Sequence, residues 1–156
     1  MTQENKELLL KDLCGRLPYR PYVMVEGYYG QLMSIELSDK WLPGVITTTL
    51  ARFEYNPENI KPYLRRMSSM TEEEAKEIAI LHEITDILSI KLTDEYIDIT
   101  VDDGFCSTER RIIWYDEIVS SIEIFDWLNK NHFDYRGLIP NGLAIEVTEK
   151  NNPYKD

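Results

Sequence analysis

The feature that most narrows what this chain can fold into is an apolar stripe within Tyr115–Val147, YDEIVSSIEIFDWLNKNHFDYRGLIPNGLAIEV. Ile118, Ile122, Phe125 and Leu128 recur at spacings of four, three and three, with Val119 and Ile124 flanking them. That periodicity predicts a helix with one side buried. Asp116 and Glu117 stand at the positive end of its dipole, Lys130 and His132 at the negative end, and Asp126 is placed to pair with Lys130 one turn later. Asn131 is the expected left-handed stop. Beyond it, Phe133, Tyr135, Leu138 and Ile139 carry apolar weight to fold back onto the helix. Pro140-Asn141-Gly142 predicts a turn, and Leu143, Ile145 and Val147 alternate as a short edge strand does. The expected arrangement seals this helix and its aromatic trailer against a β-rich first half.

Upstream, Lys6–Leu17 places Leu9, Leu10, Leu13, Cys14 and Leu17 at helical spacing and ends at Pro18, so an amphipathic first helix is predicted. Its polar side mixes Glu7 and Asp12 with Lys6 and Lys11, whereas a membrane-surface helix needs a basic excess. Tyr22–Glu26, a turn at Gly27–Gly30 and Leu32–Leu37 predict a hairpin. Pro43-Gly44 then turns the chain into a third strand, Val45–Leu50. Asn56–Leu64, with Pro57 and Pro62, reads as a connector between two halves, pinned by Ile60, Tyr63 and Leu64. Thr71 and Glu74 form a capping box reinforced by Glu72 and Glu73, opening a second helix whose buried face runs through Ala75, Ile78 and Leu81. From Ile84 to Leu92 helical and β-type periodicities overlap. Tyr96–Val101, a turn at Asp103-Gly104 and a return strand over Arg110–Tyr115 predict a second hairpin.

A chain of 156 residues is long enough to bury one substantial core and short for two ordinary domains, so one domain is expected. Hydrophobic residues at 43% and 17 aromatics exclude disorder for its body. The polar, aperiodic ends, Met1–Asn5 and Glu149–Asp156, are expected to be flexible tails. A formal net charge of −11 repels phosphate backbones and anionic membranes, which disfavours direct nucleic-acid or membrane binding. The same charge suits a basic protein partner or a mimic of DNA, and equally serves solubility. Cys14 and Cys106 have no second ligand at metal-binding spacing and read as free thiols. No span approaches membrane length and no signal-peptide pattern opens the sequence, so a reducing cytoplasm is the expected setting.

Few constellations could carry chemistry. Asp98, Thr100, Asp102, Asp103 and Glu109 follow the oxygen spacing of a calcium loop, but Asp103 stands where that loop needs Gly. His82 and Asp86 fall one helical turn apart, as a two-ligand metal site requires, without the second His of a zincin motif. The serines lie in no nucleophile-elbow context, and Gly27-Tyr28-Tyr29-Gly30 is too short for a phosphate loop. Arg16, Tyr19, Arg20 and Tyr22 interleave cations with rings, and Trp127, His132, Tyr135 and Arg136 cluster aromatic and basic groups. Because Tyr, Trp and Arg dominate interface hot spots, these residues form the candidate partner surface.

The words Ile60-Lys-Pro-Tyr-Leu-Arg-Arg-Met-Ser-Ser-Met-Thr-Glu-Glu-Glu74 and Asp126-Trp-Leu-Asn-Lys-Asn-His-Phe-Asp-Tyr-Arg-Gly-Leu-Ile139 carry a resemblance, together with Gly142–Glu146 and the Leu-rich start up to Leu17-Pro18. On these the chain resembles an uncharacterised family of short acidic proteins from gut anaerobic bacteria and their phages, over about a third of its length. Arg66 stands where that family usually has Pro. The resemblance implies a phage or mobile-element setting and assigns no functional residue.

The sequence therefore reads as a single α+β domain over 1–156: an N-terminal helix, a small antiparallel sheet or partial barrel, two further helices and a β-hairpin. The expected function is a non-enzymatic protein-interaction or regulatory module of a phage or mobile element, with another protein as partner and no cofactor or metal. One alternative is an acidic, DNA-mimic-like inhibitor of a nucleic-acid-binding or defence protein. Another is an enzyme pairing His82 or His132 with Asp86 or Asp134.

Overall fold

The computed structural model describes residues 1–37, 43–113 and 122–155. Along the chain run α1 (Gln3–Arg16), a 3-10 turn (Leu17–Tyr19), β1 (Tyr22–Val25), β2 (Tyr28–Leu37), β3 (Pro43–Thr48), β4 (Arg52–Glu54) and β5 (Ile60–Leu64). A 3-10 turn at Met67–Ser69 follows, then α2 (Glu72–Leu81), β6 (Ile87–Leu92), β7 (Tyr96–Asp102), β8 (Ser107–Ile113), α3 (Ile122–Lys130) and β9 (Ile145–Glu146). The class is α+β as expected, with open sheets instead of a barrel. The chain divides into two compact units, Met1–Arg65 with Gly137–Asp156, and Arg66–Arg136.

The first unit is built on a six-stranded sheet ordered β4-β3-β2-β1-β5-β9. Its first hairpin turns at Glu26 and Gly27, with φ of 51° and 88°, so Tyr28, Tyr29 and Gly30 belong to β2 and not to the turn expected there. Positive φ at both central positions gives a tight turn the right twist for a hairpin. The reading of Asn56–Leu64 as a connector is corrected too: Ile60–Leu64 is an interior strand, antiparallel to β1. Its proline is tolerated because the ladder to β9 begins at Tyr63, just past Pro62. β5 and β9 run parallel, and the entire Arg66–Arg136 unit forms the crossover between them.

Leu9 and Leu13 of α1 meet Val23, Val25, Leu32, Ile46, Ile60 and Leu64 of the sheet, and Leu138, Leu143 and Ala144 complete this core. Both segments expected as tails contain defined structure among the described residues. Thr2 caps α1 through Asn5 N–H at 3.2 Å, so Gln3–Asn5 are helical. At the other end Tyr154 Oη donates to Tyr63 O at 2.8 Å and accepts Tyr22 N–H at 3.2 Å, which ties the last turn to two strands. Its ring packs edge-on against Tyr22 at 5.5 Å. Asp12 and Arg16, one turn apart on α1, form a 2.7 Å ion pair with both side chains 0% exposed.

The second unit packs α2 and α3 with a three-stranded sheet ordered β6-β7-β8. The expected hairpin thus gains a third strand, because the helical pattern of α2 ends at Leu81 and β-type alternation takes over at Ile87. Ile97, Ile99 and Val101 of β7 point inward onto Ala75, Ile78 and Ala79 of α2 and Ile124 and Leu128 of α3. Trp114, Tyr115 and the expected helix opening at Asp116, Glu117, Ile118 and Val119 lie outside the described residues.

The buried phase of α3 differs from the predicted stripe. Ile124 and Leu128 are buried, Phe125 is half-buried, and Ile122 is 77% exposed. Their core partners belong to Arg66–Arg136 and not to the β-rich first half. Phe133 and Tyr135 share that core, whereas Leu138 and Ile139 pack in the other, so the stretch expected to act as one element is split between two cores.

Both helices of this unit end in the same motif. At α3, Phe133 N–H reaches Leu128 O and His132 N–H reaches Asn129 O, with His132 at φ 59° as the left-handed residue in place of the expected Asn131. At α2, Ile84 N–H reaches Ala79 O and Glu83 N–H reaches Ile80 O, with Glu83 at φ 58°. The capping box at Thr71 and Glu74 forms as predicted, with bonds of 2.8 and 3.2 Å.

Two stability measurements follow from this architecture. Arg16→Ala removes the cation paired with the buried Asp12 carboxylate and is expected to cost about 3–5 kcal/mol in urea denaturation, while Asp12→Leu with Arg16→Met recovers most of that loss. An Arg16→Ala variant as stable as wild type contradicts the buried pair. Glu83→Gly removes both a left-handed side chain and a negative charge at a helix C-terminus, so a gain of about 0.5–1 kcal/mol is expected. A lowered thermal midpoint for that variant contradicts the φ assignment.

Candidate interaction surface

The residues proposed from sequence as a partner surface divide between the two units. In the first, Arg16 is wholly buried against Asp12 and presents nothing outward. This corrects its assignment: its charge is a structural element of α1. Arg20 is exposed, in the left-handed conformation at φ 47° that ends the 3-10 turn. Tyr19 and Tyr22 are half-buried, and Tyr22 spends one ring face on Tyr154.

In the second unit, Tyr135 is also buried. Its hydroxyl donates to Asn129 Oδ1 at 3.1 Å and its ring lies 5.5 Å from Phe125. Its tyrosine is therefore a core residue with a satisfied polar tip, which composition alone does not distinguish from a surface one. Arg136, half-buried, places its guanidinium 4.8 Å from the Tyr135 ring centroid. Trp127 stacks on Phe133 at 5.7 Å with 7° between ring planes and donates its indole N–H to Glu77 Oε2 at 2.8 Å. Trp127 therefore bridges α3 to α2, and His132 is half-buried in the cap of α3.

What sequence reading missed is how unevenly the charge is divided. Met1–Arg65 with Gly137–Asp156 contains 10 Lys and Arg against 11 Asp and Glu, a net −1. Arg66–Arg136 contains 7 against 17, a net −10. The signal was available as a charge asymmetry along the chain, but only the unit boundaries tell which residues to count together.

The acidic unit contains an open hollow of about 620 Å³ at one end of its sheet, lined by Asp86, Ile87, Leu88, Asp102, Asp103 and Gly104. Asp86 is held left-handed at φ 55°, and its carbonyl accepts Asp102 N–H at 2.9 Å, so the two aspartates are joined through the backbone. Asp102 Oδ1 accepts from Gly104 N–H and Asp103 Oδ1 from Phe105 and Cys106 N–H. These backbone bonds hold the Asp103 carboxyl below the usual carboxylate range. Leu88 and Phe105 stand exposed beside them.

The calcium-loop series does not converge. Asp98 forms a fork with Arg111 at 2.6 and 2.9 Å, which lowers its pKa, and Thr100 bonds Ser89 across the strands. The His82–Asp86 spacing is likewise broken, since α2 stops at Leu81 and Asp86 lies beyond the helix end. Among the described residues no group of three or more His, Cys, Asp or Glu is placed to hold a metal ion. No helix among them is long and apolar enough to cross a membrane. Compared with protein-family models, curated proteins and solved structures, the chain matches none.

His82 has a pH consequence. It caps the C-terminus of α2 with Nε2 buried and without a hydrogen-bond partner, and burial lowers its pKa from the ordinary 6.5. The unfolded chain therefore takes up the proton first. The stability contributed by neutral His82 is complete above 6.5 and is lost as pH falls from there toward the lower folded value. The urea midpoint is expected to drop between about pH 7.5 and about pH 5.5, and His82→Leu to flatten that drop. An equal drop in the variant assigns the effect elsewhere.

Proposed function

We propose that this chain is a non-enzymatic protein-interaction module, regulatory in role, whose Arg66–Arg136 unit engages a basic partner. The observation that carries the reading is the concentration of net charge, −10 in that unit against −1 in the other. Solubility requires no such segregation, whereas recognition of a cationic surface does. The Asp86, Asp102 and Asp103 hollow supplies carboxylates beside the apolar side chain of Leu88, a combination that receives both the charged head and the aliphatic stem of a Lys or Arg. The phage or mobile-element setting rests on the family resemblance alone.

A second reading has the same observation in its favour: the acidic unit imitates a phosphate backbone and occupies the nucleic-acid site of a binding or defence protein. It differs in one consequence, since duplex DNA then competes with the chain for its partner.

The triple variant Asp86→Asn, Asp102→Asn and Asp103→Asn tests both. Asn keeps the side-chain oxygen that caps each turn and tolerates the left-handed backbone at position 86, while three charges are lost. Captured partner from a host lysate is expected to fall as salt rises from about 0.05 M to about 0.5 M, and to fall about tenfold in the variant at the lower salt. Capture indifferent to both salt and variant contradicts the proposal, and displacement by added duplex DNA selects the second reading.

A further inference from the structure

The near-neutral unit has a cavity of its own, independent of the acidic hollow. It measures about 340 Å³, and its lining includes Tyr29 of β2, Tyr63 of β5, and Glu149, Lys150, Pro153 and Lys155 of the C-terminal turn. That volume lies within the range of about 300–1,000 Å³ typical of small-molecule sites.

The wall is preorganised. Asn151 Oδ1 accepts from Thr148 N–H and Oγ1, and its Nδ2 donates to Glu146 O at 2.9 Å. Asn152 Oδ1 accepts Tyr154 N–H at 2.9 Å, and Tyr154 Oη closes on Tyr63 O. The turn therefore stays in place without a ligand, so binding does not have to order it. On the sheet side, Tyr29 is 57% exposed while Tyr63 is buried along most of its length. Both rings line the cavity, and burial, followed by the Tyr29 phenol, raises the Tyr63 pKa.

The two asparagines of the wall are committed to the turn, whereas the phenols, the lysines and Glu149 are not. Among the described residues neither phenol oxygen has a hydrogen-bond partner, and Lys150, Lys155 and Glu149 form no ion pair. Among the described lining residues two lysines stand beside one carboxylate, Glu149, in a chain whose overall charge is −11. Two rings and a proline supply flat apolar surface between them.

We propose that the cavity between Tyr29, Tyr63 and the Glu149–Lys155 turn is a binding site for a small molecule joining a planar ring to one oxyanion, a carboxylate or a phosphate. The ring lies against the tyrosines and Pro153. The oxyanion takes charge-assisted hydrogen bonds from Lys150 and Lys155 and neutral ones from the phenols. Glu149 disfavours a second negative group and accepts from any N–H or O–H the ring carries.

Backbone NMR of the full chain tests this with four probes: phenyl phosphate, benzoate, inorganic phosphate and phenol. Saturable shifts at amides 149–155 and at Tyr29 and Tyr63 are expected with phenyl phosphate or benzoate, and whichever binds more tightly identifies the oxyanion. Phosphate and phenol alone are expected to bind at least about tenfold more weakly, because each lacks half of the recognised pair. Lys150→Ala with Lys155→Ala, both at exposed positions, is expected to weaken the ring-bearing probe about tenfold with the thermal midpoint unchanged. Tyr29→Ala weakens it through the ring without touching the ammonium groups. The proposal is overturned if neither ring-bearing probe gives saturable shifts there, if the lysine variant binds as wild type does, or if inorganic phosphate or phenol binds as tightly as the conjugates.

Discussion

The first unit depends on closing its sheet across everything from Arg66 to Arg136. β5 and β9 are parallel neighbours whose ladder covers only Tyr63–Ile145 and Leu64–Glu146. For a flexible connection of that length, loop closure costs about 4 kcal/mol, more than two short ladder pairs return at about 1 kcal/mol per hydrogen bond. The closure is held instead by apolar anchors on the returning segment. Leu138 and Leu143 are buried in the core, each contributing about 1.5–3 kcal/mol. Val147 N–H on Leu64 O and Tyr154 on Tyr63 O add the polar ties. A folded crossover lowers the cost further, since its ends are no longer free to wander.

This explains why so much of the chain's punctuation consists of sharp stops. The six-residue motif that ends α2 and α3 recurs at Leu138–Leu143, where Leu143 N–H reaches Leu138 O and Gly142 N–H reaches Ile139 O with Gly142 at φ 69°. In each case the last bond joins residues that are both buried, Ala79 with Ile84, Leu128 with Phe133, and Leu138 with Leu143. Each stop thus reverses the chain and returns an apolar side chain to the core it has just left. Glycine fills only one of the three left-handed positions. At the other two, Glu83 and His132 are held by the packing of the residue that follows.

The charge segregation fits the same division. A unit with a net charge of −10 works against its own self-repulsion, and its carboxylates are relieved only in part, by pairs such as Arg111–Asp98, Arg66–Asp94 and Lys76–Glu72. Those pairs are exposed or nearly so and contribute little stability, so the unit is held by its apolar core and not by its ions. The near-neutral unit has the opposite character: its 10 Lys and Arg nearly balance its 11 Asp and Glu, and it includes the buried Asp12–Arg16 pair.

Local signals in this chain were legible because local physics decides them. The capping box at Thr71, the leucines of α1, the alternation through Ile97, Ile99 and Val101 and the left-handed turn at Gly142 all follow from backbone geometry within a few residues. Which residues face water did not follow. Arg16 and Tyr135 look like surface groups by composition and are buried, Arg16 against Asp12 one turn earlier on α1 and Tyr135 with its hydroxyl on Asn129, six residues back. Ile122 looks like core and is exposed because α3 is phased by Ile124 and Leu128. Nor did the sequence place Leu138 in one core and Phe133, five residues earlier, in another, or add Ile60–Leu64 to the sheet despite its proline. The capped start of α2, the turn at Pro140-Asn141-Gly142 and the net charge belonged to the order of residues. The assignment of each apolar side chain to a core, and of each carboxylate to a unit, belonged to the tertiary structure, because burial is a property of what arrives from elsewhere in the chain.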